Sequence, residues 1–285
     1  MNGIFLINKE ANWTSFDICA KVKRLFNTKK VGHSGTLDPF AEGLMIVCLG
    51  QATKIIPFLE HYNKTYLATI KLGEETDTLD NTGNIIDKKD VLNYSLEEIK
   101  NVLNSFLGKS QQIPPMYSAL KHDGVPLYCL ARDGLEIERK PRDIEIYSIE
   151  LIDYNKPYLT FKCKVSKGTY IRTLAKDIAF KLSTVGHLVK LKRTNIDKFD
   201  LSMAKKVNDL TINDSISIIK MLNLPTLKVN QEIEKKIRNG NKLFFNAEKM
   251  VLLINEKNEA LAIYEKKEDG YYYSKRGLFD ANNNI

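Results

Sequence analysis

One carboxylate of the chain lies in a segment whose composition suits a reactive group. Asp38 belongs to the run of residues 31–43, where Gly35 and Gly43 flank it. Glycine lets the backbone turn tightly or approach a bound molecule closely, and Pro39 restricts Asp38 to an extended conformation. A carboxylate held in this way is suited to project into a cleft. The same residues are also typical of an ordinary turn, and composition alone favours the turn.

Four further segments accompany this one along the chain. In order after Gly32-His-Ser-Gly-Thr-Leu-Asp-Pro-Phe-Ala-Glu-Gly43 they are Lys64-Thr65-Tyr66, Gly73-Glu-Glu-Thr-Asp-Thr-Leu-Asp80, Gln112-Ile-Pro-Pro-Met-Tyr-Ser-Ala-Leu-Lys121 and Ser166-Lys-Gly-Thr-Tyr-Ile-Arg172. In this order the five segments resemble the signature of the bacterial tRNA pseudouridine-55 synthases, the TruB family. The resemblance is strong from about residue 3 to about residue 193 and weak in the tail.

The resemblance implies a chemical role for three side chains. Pseudouridine formation breaks the N1–C1′ bond of a uridine, turns the base and joins its C5 to C1′, and a single carboxylate nucleophile can suffice. Asp38 corresponds to that nucleophile, attacking C1′ or adding to C6 of the base. Tyr66 would stack on the uracil and help to remove the C5 proton, and Arg172 would form a bidentate pair that orients Asp38 and keeps it ionised. Without the resemblance, Tyr66 would be interpreted as a core aromatic residue and Arg172 as a helix-surface residue.

Three further residues are expected to surround the base. The target uracil must leave the interior of the RNA, at a cost of roughly a few kcal/mol. The resemblance makes His33 a candidate to fill the space that the base leaves, although a loop histidine bonded to nearby backbone is an equally good interpretation. Tyr170 is expected to line the base pocket, and Leu191 to form part of its apolar wall.

Basic residues near these segments are candidates for contacts with RNA phosphates. They are Lys9, Lys64 and Lys121, followed by Arg132, Arg142, Lys190, Lys192 and Arg193. The net charge of +8 is consistent with a polyanionic partner, but it does not by itself separate a nucleic-acid enzyme from another basic protein. Most of the other lysines are interpreted as ordinary solvated charges.

Periodic patterns predict the helices and strands that carry these residues. Thr14 can cap a helix that runs to about residue 26, and Ser95 begins a capping box before another amphipathic helix. Further apolar patterns predict strands at 44–49, 66–72 and 159–165 and a helix at about 169–182. By analogy with the family, the fold is α+β, with a mixed, mainly antiparallel sheet flanked by helices.

The chain is predicted to divide into two domains. Residues 1–225 form the catalytic domain, and the proline-rich segment of about 108–142 is an inserted arm with short helical pieces, which by the resemblance grips the RNA. In the tail, the apolar runs at 251–254 and 260–264 predict a β-hairpin. Residues 226–285 then form a small, mostly β domain that resembles the PUA domain, which contacts the acceptor stem of tRNA. The alternative is an appended domain that stabilises the protein without touching RNA.

The bulk properties fit this interpretation. The 285 residues suit one large and one small domain, at roughly 150 residues per domain. The four cysteines form no C-x-x-C pair and have no histidine at metal-ligand spacing, so reduced thiols and no metal are expected. The isomerisation oxidises and reduces nothing, and the sequence has no dinucleotide fingerprint or P-loop, so no cofactor is expected. The N-terminal apolar run is too short for a signal peptide, and a cytoplasmic protein, working by analogy as a monomer, is expected.

The most specific expectation is isomerisation of the uridine at position 55, with the T-arm of tRNA as the partner. One rival is a related synthase with another RNA target, and the arm of the bacterial family argues against it. A second rival is a non-catalytic RNA-binding or tRNA-folding protein. The trio of Asp38, Tyr66 and Arg172 argues against a purely binding role.

Overall fold

The computed structural model describes residues 2–279 of the chain, which contain seventeen strands and seven α-helices. The strands are β1 (Gly3–Lys9), β2 (Val31–His33), β3 (Glu42–Leu49), β4 (Lys64–Leu72), β5 (Glu74–Thr76), β6 (Ile85–Lys88), β7 (Gly108–Gln112), β8 (Lys121–His122), β9 (Val125–Pro126), β10 (Arg142–Asn155), β11 (Tyr158–Val165), β12 (Gly186–Ile196), β13 (Phe199–Asp200), β14 (Thr226–Lys228), β15 (Met250–Ile254), β16 (Ala260–Lys266) and β17 (Tyr272–Gly277). The helices are α1 (Ser15–Leu25), α2 (Ile56–Leu59), α3 (Leu96–Asn104), α4 (Leu127–Arg132), α5 (Ile171–Lys181), α6 (Ile218–Met221) and α7 (Gln231–Arg238). None of these helices has the length and apolar character needed to cross a membrane.

A nine-stranded sheet forms the centre of the fold. Seven strands follow one another in the order β1-β3-β12-β4-β11-β10-β7, while β2 pairs with β3 and β13 pairs with β12. The pairing of β3 with β12 is parallel, and the other pairings in this sheet are antiparallel. The sheet and its flanking helices confirm the predicted α+β class with a mixed, mainly antiparallel sheet.

Apolar clusters cover this sheet on both faces. In β3, Met45 and Val47 belong to one cluster, and the alternating residues Leu44 and Ile46 belong to the other. Successive side chains of a strand point to opposite faces, so a strand that is buried on both sides needs a continuous apolar run. This accounts for the predicted strand at 44–49. Helices α1 and α5 contribute to the first cluster, and residues of the C-terminal sheet contribute to the second.

Side-chain caps fix where two of the helices begin. The Thr14 hydroxyl accepts a hydrogen bond from the Asp17 backbone at 3.0 Å, and the Ser95 hydroxyl accepts one from the Glu98 backbone at 3.1 Å. Both are capping boxes, because the acidic side chain in turn accepts from the cap residue's N–H. Each cap stabilises its helix by about 1 kcal/mol. The two predicted helix starts are confirmed.

The predicted arm is rooted in the main sheet at both ends. β7 pairs with the start of β10 over five residues, from Arg142 opposite Gln112 to Ile146 opposite Gly108. The part that leaves the sheet is therefore residues 113–141. It contains the β8–β9 hairpin and the six-residue helix α4, which agrees with the short helical pieces expected there.

The tail forms a second sheet, of four strands in the order β14-β15-β16-β17. β15 and β16 pair antiparallel, which confirms the predicted hairpin. Leu252 and Ile263 of this sheet belong to the same apolar cluster as Leu44 of the main sheet, so the two sheets pack together. The helix α7 is absent from the sequence prediction, because its only apolar residues are Ile233 and Ile237 and they give too short a stripe for a pattern to stand out.

Gly43 lies where β3 runs beside β12, with Arg193 as its register partner. Its φ is +110°, and a Cβ there would overlap the backbone oxygen of Arg193. We expect Gly43→Ala to lower the free energy of unfolding by about 2 kcal/mol or more, because backbone strain and a backbone clash combine. Urea denaturation measures this loss.

Gly134→Ala is the matched control for this measurement. Gly134 has φ +74°, and among residues 2–279 no heavy atom outside residues 133–135 lies within 4 Å of a Cβ built on it. Strain alone should then lower the free energy of unfolding by about 1 kcal/mol. Equal losses in the two variants would contradict a requirement for close approach at Gly43.

Candidate active site

A cleft of about 600 Å³ lies where several loops meet the central sheet. Its walls come from residues 34–38, from the start of β4, from the arm and from the segment that leads into α5. The lining residues with polar or aromatic chemistry include Ser34, Asp38, Lys64, Tyr66, Tyr170, Arg172 and Arg193, with Leu191 among the apolar ones. Most of the predicted site residues therefore share one cavity, although they are widely separated along the chain.

One hydrogen bond and one ion-pair contact join Arg172 to Asp38 in the wall of the cleft. Arg172 Nε lies 2.9 Å from Asp38 Oδ2, and Arg172 Nη2 donates to Asp38 Oδ1 at 3.1 Å. In this bidentate geometry the guanidinium group fixes the plane of the carboxylate. Arg172 retains only 4% exposure, so the alternative interpretation as a helix-surface residue is wrong.

Other segments accept the remaining hydrogen bonds of Arg172. Its Nη1 donates to the Thr78 carbonyl at 3.0 Å, and its Nη2 donates also to the Tyr117 carbonyl at 2.7 Å. The Asp80 carboxylate lies 3.6 Å from Nη1, and the Thr78 hydroxyl donates to it at 2.8 Å. Because Tyr117 belongs to the arm, this one guanidinium group connects the arm, the 78–80 segment and the loop of Asp38.

The loop that carries Asp38 is held on both sides. Ser15, at the start of α1, accepts a hydrogen bond from the Leu37 N–H at 2.9 Å and donates to the Leu37 carbonyl at 3.1 Å. Beyond Asp38, the Pro39 carbonyl accepts from the Asn12 N–H at 2.8 Å. Asn12 has φ +68°, a conformation that asparagine adopts more readily than most residues. The backbone is therefore fixed immediately before and after Asp38.

Arg193 braces the same loop from within the protein. It is 1% exposed, and it donates to the carbonyls of Leu44 at 2.7 Å and Gly35 at 3.1 Å. The sequence analysis expected a phosphate contact here, and the burial of the guanidinium group corrects that expectation. Residue type alone does not distinguish a buried arginine that binds carbonyls from an exposed one that binds phosphate.

The structure also corrects the expectation that Lys9 contacts an RNA phosphate. Its ammonium group is fully buried and donates to the carbonyls of Glu10, Trp13 and Pro39 at 3.0, 2.6 and 3.1 Å. Burial lowers the pKa of Lys9 to about 8. An ammonium group has three donors, and all three are used, so Lys9 stabilises the chain beside Asp38 and offers nothing to an RNA phosphate.

Burial and the neighbouring positive charges shift the pKa of Asp38 in opposite directions. Burial is the largest influence and raises the pKa of this carboxyl, with the Asp80 carboxylate adding to the rise. The Arg172 guanidinium opposes the rise, and Lys9 does so more weakly. The net result is a pKa above the ordinary aspartate value. The ionised form of Asp38 therefore depends on the cation beside it.

Aromatic and aliphatic side chains line the same cleft as the carboxylate. Tyr66 of β4 is 8% exposed and Leu191 of β12 is 6% exposed, and both line the cleft. Tyr170 is the cap residue of α5, and burial raises the pKa of its hydroxyl. An aromatic face, a phenol and an aliphatic side chain beside one carboxylate are suited to a planar heterocyclic ligand.

The remaining predicted residues have different surroundings. Lys64 lines the cleft, donates to the Glu60 carbonyl at 2.7 Å, and has a pKa lowered to about 8 by burial. Lys121 is exposed on β8 of the arm, outside the cleft wall. The Nδ1 atom of His33 accepts from the Gly35 N–H at 3.2 Å, the local backbone contact that the alternative interpretation expected. Burial lowers the pKa of His33.

Gln112 holds the backbone of Tyr170 in the wall of the cleft, and the sequence analysis gave it no role. Its Oε1 accepts from the Tyr170 N–H at 2.8 Å, and its Nε2 donates to the Tyr170 carbonyl at 3.1 Å. Since Tyr170 precedes α5 and makes no side-chain cap, this amide fixes the start of the helix that carries Arg172. The only signal in the sequence is the place of Gln112 at the head of its motif.

Comparison with known proteins places this geometry in a family. The family described as TruB family pseudouridylate synthase (N terminal domain) matches residues 23–171. The tRNA pseudouridine synthase B of Haemophilus influenzae is 39% identical, over 96% of this chain and 92% of that protein. The one from Clostridium perfringens is 43% identical, over 94% of this chain and 92% of that protein. A solved Cbf5-Nop10-Gar1 complex has a chain of similar fold, with TM-score 0.75 and 21% identity, covering 98% of this chain and 86% of that chain.

The family match and these relatives define the class of protein, an enzyme of the pseudouridine synthase type. Within that class, the chain belongs to the TruB family. The likeness to the H. influenzae relative continues well beyond residue 171, where the family match ends, into the C-terminal sheet. The resemblance stated from the five motifs is confirmed.

We expect Gln112→Ala to slow pseudouridine formation, because the start of α5 is freed and Arg172 is misplaced. A displacement of about 1 Å at a reacting centre can lower a rate roughly 100-fold, and the lost hydrogen bonds lower the free energy of unfolding by about 1–3 kcal/mol. Single-turnover rates and urea denaturation measure the two effects.

Gln111→Ala is the matched control on the same strand. Gln111 is exposed, and its amide donates to the Asp143 side chain at 3.0 Å. Its replacement should leave the single-turnover rate and the free energy of unfolding nearly unchanged, since surface substitutions usually change stability by no more than about 0.5 kcal/mol. Equal rates for the two variants would refute the positioning role of Gln112.

Proposed function

We propose that this enzyme converts the uridine at position 55, in the T-loop of tRNA, to pseudouridine. The relatives that match most of the chain carry the name tRNA pseudouridine synthase B. The five motifs resemble those of enzymes that act at position 55. The observation that carries the proposal is the bidentate pair of Asp38 and Arg172 in the wall of the cleft.

In this proposal Asp38 is the nucleophile. It forms a temporary covalent bond, either to C1′ of the ribose or to C6 of the uracil, and that bond breaks again before product leaves. The N1–C1′ bond is lost, the base turns, the C5–C1′ bond forms, the C5 proton leaves and N1 gains a proton. Asp38 must be ionised to react, and Arg172 favours the ionised form against the effect of burial.

The base reaches Asp38 by leaving the T-loop. Extrusion of a base costs roughly a few kcal/mol, and stacking on an aromatic side chain contributes about 1–3 kcal/mol in return. Tyr66 provides that stacking surface, and its hydroxyl assists removal of the C5 proton. Tyr170 and Leu191 bound the pocket, and His33 fills the space that the base leaves in the RNA.

Contacts outside the pocket hold the tRNA. The arm grips the T-arm, with Lys121 exposed for a phosphate, and Lys64 provides a second cation inside the cleft. Residues 1–225 act as the catalytic domain, and residues 226–285 act as a PUA-like domain on the acceptor stem. The packing of the C-terminal sheet against the main sheet supports a fixed relation between the two RNA-binding surfaces. The enzyme works as a monomer in the cytoplasm.

Asp38→Asn tests the nucleophile and the target position together. An unmodified tRNA transcript with tritium at C5 of its uridines releases tritium when C5 forms its new bond. We expect the wild-type protein to release tritium from position 55, and the variant to bind the tRNA and release none, because an amide is a poor nucleophile. Release by the variant would rule out Asp38. Binding without release by the wild-type protein would favour another RNA target or a folding role.

Arg172→Lys tests how the pair controls Asp38. Lysine keeps the charge but lacks the planar fork, so we expect the rate to fall by roughly 100-fold or more through misplacement of the carboxylate. The rate of both proteins should fall at low pH as Asp38 is protonated. Because the positive charge of Arg172 lowers the pKa of Asp38, the uncharged variant Arg172→Gln should raise that pKa and move the acidic limb to higher pH, whereas Arg172→Lys, which keeps the charge, should move it less. A pH–rate profile of Arg172→Gln with an unmoved acidic limb would contradict this electrostatic role.

A further inference from the structure

Ser34 carries a buried hydroxyl group that has no hydrogen-bond partner within residues 2–279. The residue is 2% exposed and borders the cleft. Its backbone N–H is satisfied, since it donates to the Ile46 carbonyl at 3.1 Å. The hydroxyl of Ser15, by contrast, has two partners on Leu37. Because an unpaired buried hydroxyl destabilises the protein that holds it, Ser34 is poised for a partner from outside the chain.

Two cations, Lys64 and Arg193, line the same cleft as Ser34. Arg193 donates to backbone carbonyls, one of them that of Gly35, directly after Ser34. Lys64 donates to the Glu60 carbonyl and keeps two further N–H donors. Neither cation forms an ion pair within the described residues, where the ion pairs of the cleft involve Arg172. The positive charge of Arg193 lowers the pKa of Lys64 by more than the Glu60 carboxylate raises it.

We propose that Ser34 and Lys64 together bind a nonbridging oxygen of an RNA phosphate group beside the reactive nucleotide. Such an oxygen can accept hydrogen bonds from both side chains at once. A hydroxyl group alone would suit a carbonyl of a base equally well. Lys64 and Arg193, which form no ion pair among the described residues, favour the phosphate oxygen over a base carbonyl. Two cations in a partly desolvated wall attract negative charge strongly. The site deepens the proposed function and rests on it, since it requires RNA in this cleft.

Such a phosphate site would set the distance between the RNA backbone and Asp38. Ser34 and Asp38 lie at the two ends of one short loop. That loop is fixed between them by the bonds of Arg193 to Gly35 and of Ser15 to Leu37. A phosphate held at Ser34 would therefore place the neighbouring ribose, and with it C1′, at a defined position relative to the carboxylate.

Equilibrium binding of an unmodified tRNA transcript tests the site, with every protein carrying Asp38→Asn so that no product forms. We expect Ser34→Ala to weaken binding about tenfold, which corresponds to about 1.4 kcal/mol. The urea midpoint should not fall, because the substitution removes a hydroxyl group without a partner in the free protein. Ser15→Ala is the matched control and should lower the urea midpoint. Unchanged RNA affinity in Ser34→Ala, or a fall in its midpoint like that of Ser15→Ala, would overturn the site.

A synthetic T-arm stem–loop with a methylphosphonate at one phosphate at a time identifies the group that is bound. We expect one position where the substitution weakens binding to the parent protein about tenfold or more and weakens binding to Ser34→Ala by a smaller factor, because only the Lys64 contact is then left to lose. If the two losses add at every position, Ser34 contacts another group and the phosphate assignment fails. The binding tests do not depend on the site of reaction. If the phosphate is found and the wild-type protein releases no tritium from position 55, the proposed function fails and the phosphate site stands.

Discussion

The guanidinium group of Arg172 is nearly inaccessible to solvent, and a cation in that position is stable only when carboxylates and carbonyls surround it. Its acceptors come from separate segments, namely the loop of Asp38, the 78–80 segment and the arm at Tyr117. None of these segments is a neighbour of α5 in sequence. The cleft therefore exists only when all of them have reached their places around this one side chain, and the central sheet supplies the frame that brings them there.

Two other buried cations act by the same principle. Arg193 and Lys9 donate to backbone carbonyls of the segments around Asp38. Irregular loops leave carbonyls without the partners that a helix or sheet would provide, and each buried one must be satisfied. Charged side chains with several donors can satisfy two or three of them at once. This gives the loop of Asp38 a fixed shape with little regular secondary structure of its own.

The same arrangement sets the electrostatics of the cleft. Asp38 is less acidic than an ordinary aspartate because burial outweighs the favourable charge of Arg172. Fixed charges in a site that excludes much of the water act more strongly than the same charges in solution. A reaction that develops charge at one carboxylate is therefore sensitive to residues that never touch the substrate, of which Gln112 is an example through its hold on Tyr170.

The sequence by itself determined the features that depend on neighbouring residues or on a family signature. Capping boxes at Thr14 and Ser95 and the apolar run of β3 are local, and they were predicted correctly. The motifs identified the family. Tertiary structure alone decided that Lys9 is fully buried with its donors on carbonyls, and that the Ser34 hydroxyl has no partner within the described residues. The reason is physical. The burial of a side chain and its hydrogen-bond partners depend on which distant segments pack around it, and residue type and spacing do not specify those segments.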